Sequence, residues 1–182
     1  PLRALRKGGI MKNLQLPLTK ETIKSLRAGD SVSLSGTILT ARDCAHKRIF
    51  GYLKDGKPLP FDLKDAVIYY AGPCPAKPDM ASGSCGPTTS ARMDSFAPAL
   101  LDLGLGAIIG KGEMCGEVRE ALKRNVCVYF AAIGGAGALY GNAIKKSECI
   151  AFEDLLSEAV YKLEVENFPA VVAFDYFGGS IY

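Results

Sequence analysis

The sequence contains no Cys-x-x-Cys pair, no Walker lysine, no apolar run of bilayer-spanning length and only one histidine, His46. Without Cys-x-x-Cys the strongest zinc signature is missing. A membrane-spanning helix needs about 20 consecutive apolar residues. Here Lys, Asp, Glu or Gly interrupts every run, so the chain is expected to be soluble and without membrane contact. Nucleic-acid binders cluster Lys and Arg on one face. The formal charge of +3 is accounted for by Arg3, Arg6 and Lys7, and no basic block follows Met11. No nucleic-acid partner is expected, and no Ser-His-Asp pattern stands out.

What is present suits one well-cored domain: 182 residues, 48% hydrophobic, with a mean hydropathy of +0.12. The leader PLRALRKGGI precedes a start-like Met11 and has no apolar run of signal-peptide length. Residues 1–10 are therefore read as a remnant or frayed extension, and 11–182 as a single domain. Six cysteines occur without a secretion signal in a chain large enough to need no staples, so a reduced, cytoplasmic setting is expected. Cys127 and Cys149 sit in apolar segments and read as small buried residues. Cys74, Cys85 and Cys115 lie in or beside Gly/Pro loops; three such thiolates could ligate an iron-sulfur group, but their spacing fits no standard cluster pattern.

Patterning then places the elements. Thr19 caps a short helix within 19–29, stopped by Gly29. DSVSLSGTILTA alternates as a half-buried strand. ARDCAHKRIFGYLKDG has helical spacing and ends at Asp55-Gly56. KDAVIYYAGP reads as a buried strand stopped by Gly72-Pro73. Met93, Phe96, Leu100 and Leu103 mark one face of a helix that Pro98 should kink and Gly104 should end. GAIIGKG is a strand and loop, GEVREALKRN a helix closed by Asn125, and VCVYFAAIGG another strand. CIAFEDLL, AVYKLEVENFP and AVVAFDYFG read as further strands around a short helical turn. Strands alternating with helices make the fold class α/β.

In such sheets ligands lie beyond the carboxyl ends of the strands. Three loops share that address, TARDCAH, GPTTSAR and GKGEM, and supply Arg42, Arg92 and Lys111. Two guanidinium forks and one ammonium suit a small dianion. Pro87 with Thr88 and Thr89 is expected to start a helix whose free N–H groups cradle an anionic oxygen. On that helix Thr88 and Arg92, four apart, would share a face. His46, three residues after Asp43, is either an oriented acid/base or a structural residue. GGAGALYG breaks the dinucleotide order and reads as a close-packed turn.

The ordered set GTILTARDCAHKR, YYAGPCPAKP, CGPTTSARMD, GAIIGKGEM and AAIGGAGALYG resembles the β subunit, or C-terminal half, of the class I fumarase and L(+)-tartrate dehydratase family of iron-sulfur hydro-lyases. The resemblance covers most of residues 12–182. It implies a swivelling β/β/α layered domain, similar to the mobile domain of aconitase-type enzymes. It also implies a partner α subunit, in a heterodimer or α2β2 assembly, that holds a [4Fe-4S] cluster through its own cysteines, so that Cys74, Cys85 and Cys115 are not ligands and this chain holds no metal. The implied reaction is hydration of fumarate to L-malate, with L(+)-tartrate dehydration as the alternative. Arg42, Thr88, Thr89, Arg92 and Lys111 would bind the dicarboxylate, with Thr88 the proton-transfer hydroxyl and Arg42, Asp43 and His46 beside it. A non-catalytic dianion-binding or assembly domain, and a complete enzyme using its own three cysteines, are the other readings.

Overall fold

Val32, Leu34 and Ile38 alternate along β2 (Ser31–Thr40), and helix-bearing connections on either side of it lead to four short strands laid parallel to it or to one another. The architecture is that of a computed structural model describing residues 10–182; the leader expected over 1–10 lies outside the described residues except for Ile10. The strands are β1 (Lys12–Gln15), β2, β3 (Val67–Tyr69), β4 (Ala107–Gly110), β5 (Val128–Ala131), β6 (Ile144–Ala151) and β7 (Val160–Phe174). The α-helices are α1 (Lys20–Ser25), α2 (Asp43–Lys54), α3 (Ala97–Asp102), α4 (Gly116–Arg124) and α5 (Gly137–Ala143); 3-10 turns span Ser90–Met93 and Glu153–Glu158. Among the described residues no helix is long and apolar enough to cross a membrane.

The order β1-β2-β3-β4-β5-β7-β6 carries a further β2–β7 pairing, so the sheet closes on itself. β1 to β5 run parallel, and β7 runs antiparallel to β2, β5 and β6. One 15-residue strand does the closing where the sequence pattern suggested two. Asn167, at φ 53, takes up the irregularity within it. Pro169 pairs with β2 on one edge but falls between the stretches bonded to β6 (160–165) and β5 (171–174), where no second ladder needs its missing N–H. The domain is thus α/β, with a closed sheet.

Closure separates two cores. Alternate residues such as Val32, Leu34, Val67, Tyr69, Ile109, Phe130 and Val172 form one with Ile23 and Leu26 from the α1 region and Tyr140 of α5. The opposite positions, including Ile68, Tyr70, Ile108, Tyr129 and Phe174, pack under α2, α3 and α4. In α4, Val118, Ala121 and Leu122 turn inward at helical spacing while Glu117 and Glu120 face solvent.

Local expectations fared unevenly. Thr19 does cap α1, accepting the Thr22 N–H at 3.2 Å, but the helix ends at Ser25, before Gly29. Pro98 does not kink a long helix: α3 begins at Ala97, so Pro98 occupies its first turn, where no N–H is required. That break shifts the helical phase, and Leu103 ends 52% exposed. Cys127 is buried as expected, whereas Cys149 is exposed on β6, which among the described residues pairs only with β7. The strand β1 carried no signal strong enough to be read.

Beyond β7 the chain turns on Asp175, 4% exposed. Its carboxylate accepts the N–H groups of Ala28, Phe177 and Gly179 at 2.8–2.9 Å. Removing it would leave three part-buried N–H groups without this acceptor, so Asp175→Ala should lower unfolding stability by about 2 kcal/mol. The check is the urea midpoint at unchanged slope, and an unmoved midpoint would contradict this role.

Candidate functional site

β2, β3, β4 and β5 are neighbours and parallel, so their carboxyl ends deliver four loops to one rim of the closed sheet. The loop after β3 makes the longest excursion. It leaves through Ala71, turns back on itself with Cys74 N–H donating to Ser84 O at 2.9 Å, and returns as Pro87 bridges Ala71. Tyr69 Oη donates to Cys85 O at 2.7 Å, and Cys85 N–H donates to Gly137 O at 3.0 Å. Glycine at 137 is a matter of space, since a Cβ there would collide with Ser84 Oγ. The glycines of GGAGALYG therefore let the loop after β5 and the start of α5 pack against the β3 loop, a close-packed turn that runs on into a helix.

The helix start expected at Pro87-Thr88-Thr89 is not there. Thr88 N–H donates to Tyr70 O at 2.7 Å, Ser90 N–H donates to Lys111 O at 2.9 Å, and Thr89 forms a parallel bridge with Lys111. The helical turn begins only at Ser90 and is a four-residue 3-10 segment. The Thr88 and Ser90 amides are thus spent on sheet-like pairing, and the charged donors at this rim are side chains.

Those side chains do converge. Asp43, the first residue of α2, places Oδ1 2.8 Å from Arg92 Nη2 and Oδ2 3.4 Å from Arg42 Nε. Arg92 Nη1 lies 3.4 Å from Thr88 Oγ1, so the two meet without sharing an α-helical face. Glu158 stands behind Arg42 at 3.6 Å and accepts the Cys44 N–H at 2.8 Å. Burial opposes ionisation of Asp43, but its own backbone N–H, Arg92 and Arg42 outweigh it and hold the carboxyl below its ordinary value. Glu158 is lowered likewise, against burial, by the Cys44 N–H and Arg42.

Lys111 joins through the backbone of the adjoining strand end. No ion pair involves Lys111 among the described residues, and its Cδ lies 2.9 Å from the position a Cβ on Gly134 would take. Thr89 is exposed on the rim and makes no side-chain hydrogen bond among the described residues. Three cations against two carboxylates leave one positive charge in surplus. The half-exposed Arg92 and the unpaired Lys111 keep donors available to an incoming carboxylate.

His46 is set apart from this rim. It has no exposed surface, Nδ1 lies 3.0 Å from Arg42 O, and the ring packs against Tyr70 and Phe96 at 5.4 and 5.5 Å. With Arg42 O as acceptor, Nδ1 carries the proton; Nε2 is buried without a partner among the described residues. A ligand at the rim does not touch it.

The three loop cysteines do not fit a cluster. Cys85 lies inside the closed sheet's core, Cys115 packs under the helices on the other face, and Cys74 is exposed. Among the described residues no three His, Cys, Asp or Glu side chains are grouped to hold a metal ion. Glu158, Ser90 and Tyr129 were missed from sequence: each reaches the site across 17 to 116 positions of chain, and no local pattern marks it.

The rim of parallel strand ends on this α/β scaffold carries two arginines bridged by Asp43, a lysine and a threonine, a donor set whose chemistry suits a small anion. The chain belongs to the fumarase C-terminus family, whose profile matches residues 6–182. It is 45% identical over 171 residues to the "putative L(+)-tartrate dehydratase subunit beta" of Methanocaldococcus jannaschii, covering 91% of this chain and 88% of that protein. It is 39% identical to "fumarate hydratase 1, mitochondrial" of Leishmania major and 38% identical to "fumarate hydratase class I, aerobic" of Escherichia coli, covering 98% of this chain in each case. It spans about a third of those two proteins, 33% and 34%.

Burial pushes the His46 imidazole down to about 4, against the hydrogen bond to Arg42 O and the charge of Asp43, which raise it. The unfolded chain, at about 6.5, therefore takes up this proton first as the pH falls. Stability from the neutral ring is fully present above pH 6.5 and is lost between 6.5 and 4. Between pH 7 and pH 5 the wild type should lose about 2 kcal/mol more than His46→Phe, read from urea midpoints. Equal losses would contradict a buried neutral ring.

Proposed function

We propose that this chain supplies one half of the active site of a hydro-lyase acting on a four-carbon dicarboxylate, hydrating fumarate to L-malate. The observation that carries the reading is the Arg42–Asp43–Arg92–Thr88 chain beside Lys111 at adjoining strand ends. A dicarboxylate needs two cationic grips at separate ends and a charge to offset the carbanion that develops beside one carboxylate. Arg42 and Arg92 serve as the grips and Lys111 as the offset. Asp43 keeps both guanidinium groups oriented before substrate arrives, so less ordering is left for binding.

Thr88 is the proton-transfer hydroxyl. Arg92 donating to Thr88 Oγ1 favours negative charge on that oxygen, which makes a weak acid easier to deprotonate. Thr89 adds a hydroxyl on the exposed rim, and His46, bonded to Arg42 O, positions the loop. The [4Fe-4S] cluster implied by the family resemblance belongs to a partner α subunit, in a heterodimer or α2β2 assembly, and would supply the Lewis acid for the departing hydroxyl. On this reading the closed-sheet domain swivels against that partner as β/β/α mobile domains do, within the cytoplasm. The second reading, L(+)-tartrate dehydration, is favoured by the relative of comparable length, itself called a subunit beta.

In the assembled enzyme Arg92→Ala should reduce kcat/KM at least about 100-fold, the scale of a lost charged grip on the transition state. Wild-type fumarate hydration and tartrate dehydration by this variant would overturn the assignment.

A further inference from the structure

Among the described residues Lys111 lacks an ion pair, yet its peptide units are tied on both sides. Ser90 N–H donates to Lys111 O at 2.9 Å, and Lys111 N–H donates back to Ser90 Oγ at 2.8 Å. Ser90 Oγ lies 2.9 Å from Tyr129 Oη, which donates its one proton to Gly112 O at 2.7 Å. Proton counting then fixes every direction: Ser90 Oγ accepts from Lys111 and donates to Tyr129, and Tyr129 donates to Gly112. The relay begins on the Lys111 amide and ends on the next carbonyl, so it brackets the residue.

Both hydroxyl-bearing side chains are fully buried. Burial, with Tyr182 and Asp94 nearby and against the Ser90 bond, raises the Tyr129 phenol above its ordinary value, so it remains a donor at neutral pH. Gly110 leaves the necessary room, since a Cβ there would collide with Ser90 Oγ. Ser90 is also the first residue of the 3-10 turn that carries Arg92. One buried hydroxyl therefore ties the backbone that presents Lys111 to the turn that presents Arg92.

We propose that Ser90 and Tyr129 are positioning residues that set Lys111 against the substrate carboxylate, an inference that rests on the dicarboxylate reading above. Tyr129→Phe keeps the ring, which packs 5.3 Å from Phe174, and removes two links of the relay. In the assembled enzyme it should lower kcat/KM about 10-fold, the scale of one or two buried hydrogen bonds. The loss should appear in kcat/KM with the melting transition retained.

The deciding measurement is a double-mutant cycle with Lys111→Ala, run on the assembled enzyme with fumarate and with L-tartrate. Once the lysine side chain is gone there is nothing to position, so adding Tyr129→Phe should cost less than about 2-fold more. Ser90→Ala, which keeps the amide bond to Lys111 O, serves as a second variant and should show the same non-additivity, also if Tyr129→Phe fails to fold. Fully additive losses would overturn the positioning role alone. A Lys111→Ala enzyme with undiminished activity would overturn both this role and the functional reading beneath it.

Discussion

β7 pairs with β2 along one edge and with β6 and then β5 along the other, and this double use of a single strand closes the sheet. Closure holds β2, β3, β4 and β5 side by side, so loops that start up to about 90 positions apart in the chain leave from one rim. It also makes an interior that the strands can fill only with alternate side chains, and a second surface that must be covered by α2, α3 and α4. The site is therefore assembled on rigid strand ends, with only short reaches to each functional side chain.

On that rim, order comes from charges that oppose each other. Arg42 and Arg92 would repel if left alone, and Asp43 bridges them with one carboxylate oxygen toward each. Glu158, brought in by the 3-10 turn before β7, steadies Arg42 from behind. These pairs are partly exposed and contribute little to stability. Their role is geometric: they hold two forks in fixed directions while leaving Lys111 and the outer face of Arg92 for a ligand.

Much of this was legible in the sequence wherever a signal was local. α2 follows from its apolar spacing and the Asp55-Gly56 stop, and β3 and β4 from short β-branched runs bounded by glycine. Arg42, Arg92 and Lys111 could be assigned to one end of the sheet from strand order alone. What the sequence hid was long-range pairing. Thr88 and Thr89 look like a helix start, but their segment is consumed by bonds to Tyr70 and Lys111, which no nearby residue announces. Leu103 went wrong because α3 restarts at Ala97 and loses the phase set at Met93. AVYKLEVENFP and AVVAFDYFG read as two strands divided at Pro169, and only the gap between β6 and β5 shows why one strand can run through it.

The central claim, that this rim is half of a dicarboxylate site completed by another chain, is tested most directly by anaerobic capture of the chain with its partners from native extract, followed by assay of the complex. The account predicts co-recovery of an iron-sulfur chain and activity toward fumarate or L-tartrate. Recovery of this chain alone, without cluster or activity, would contradict it and leave a binding or assembly role in its place.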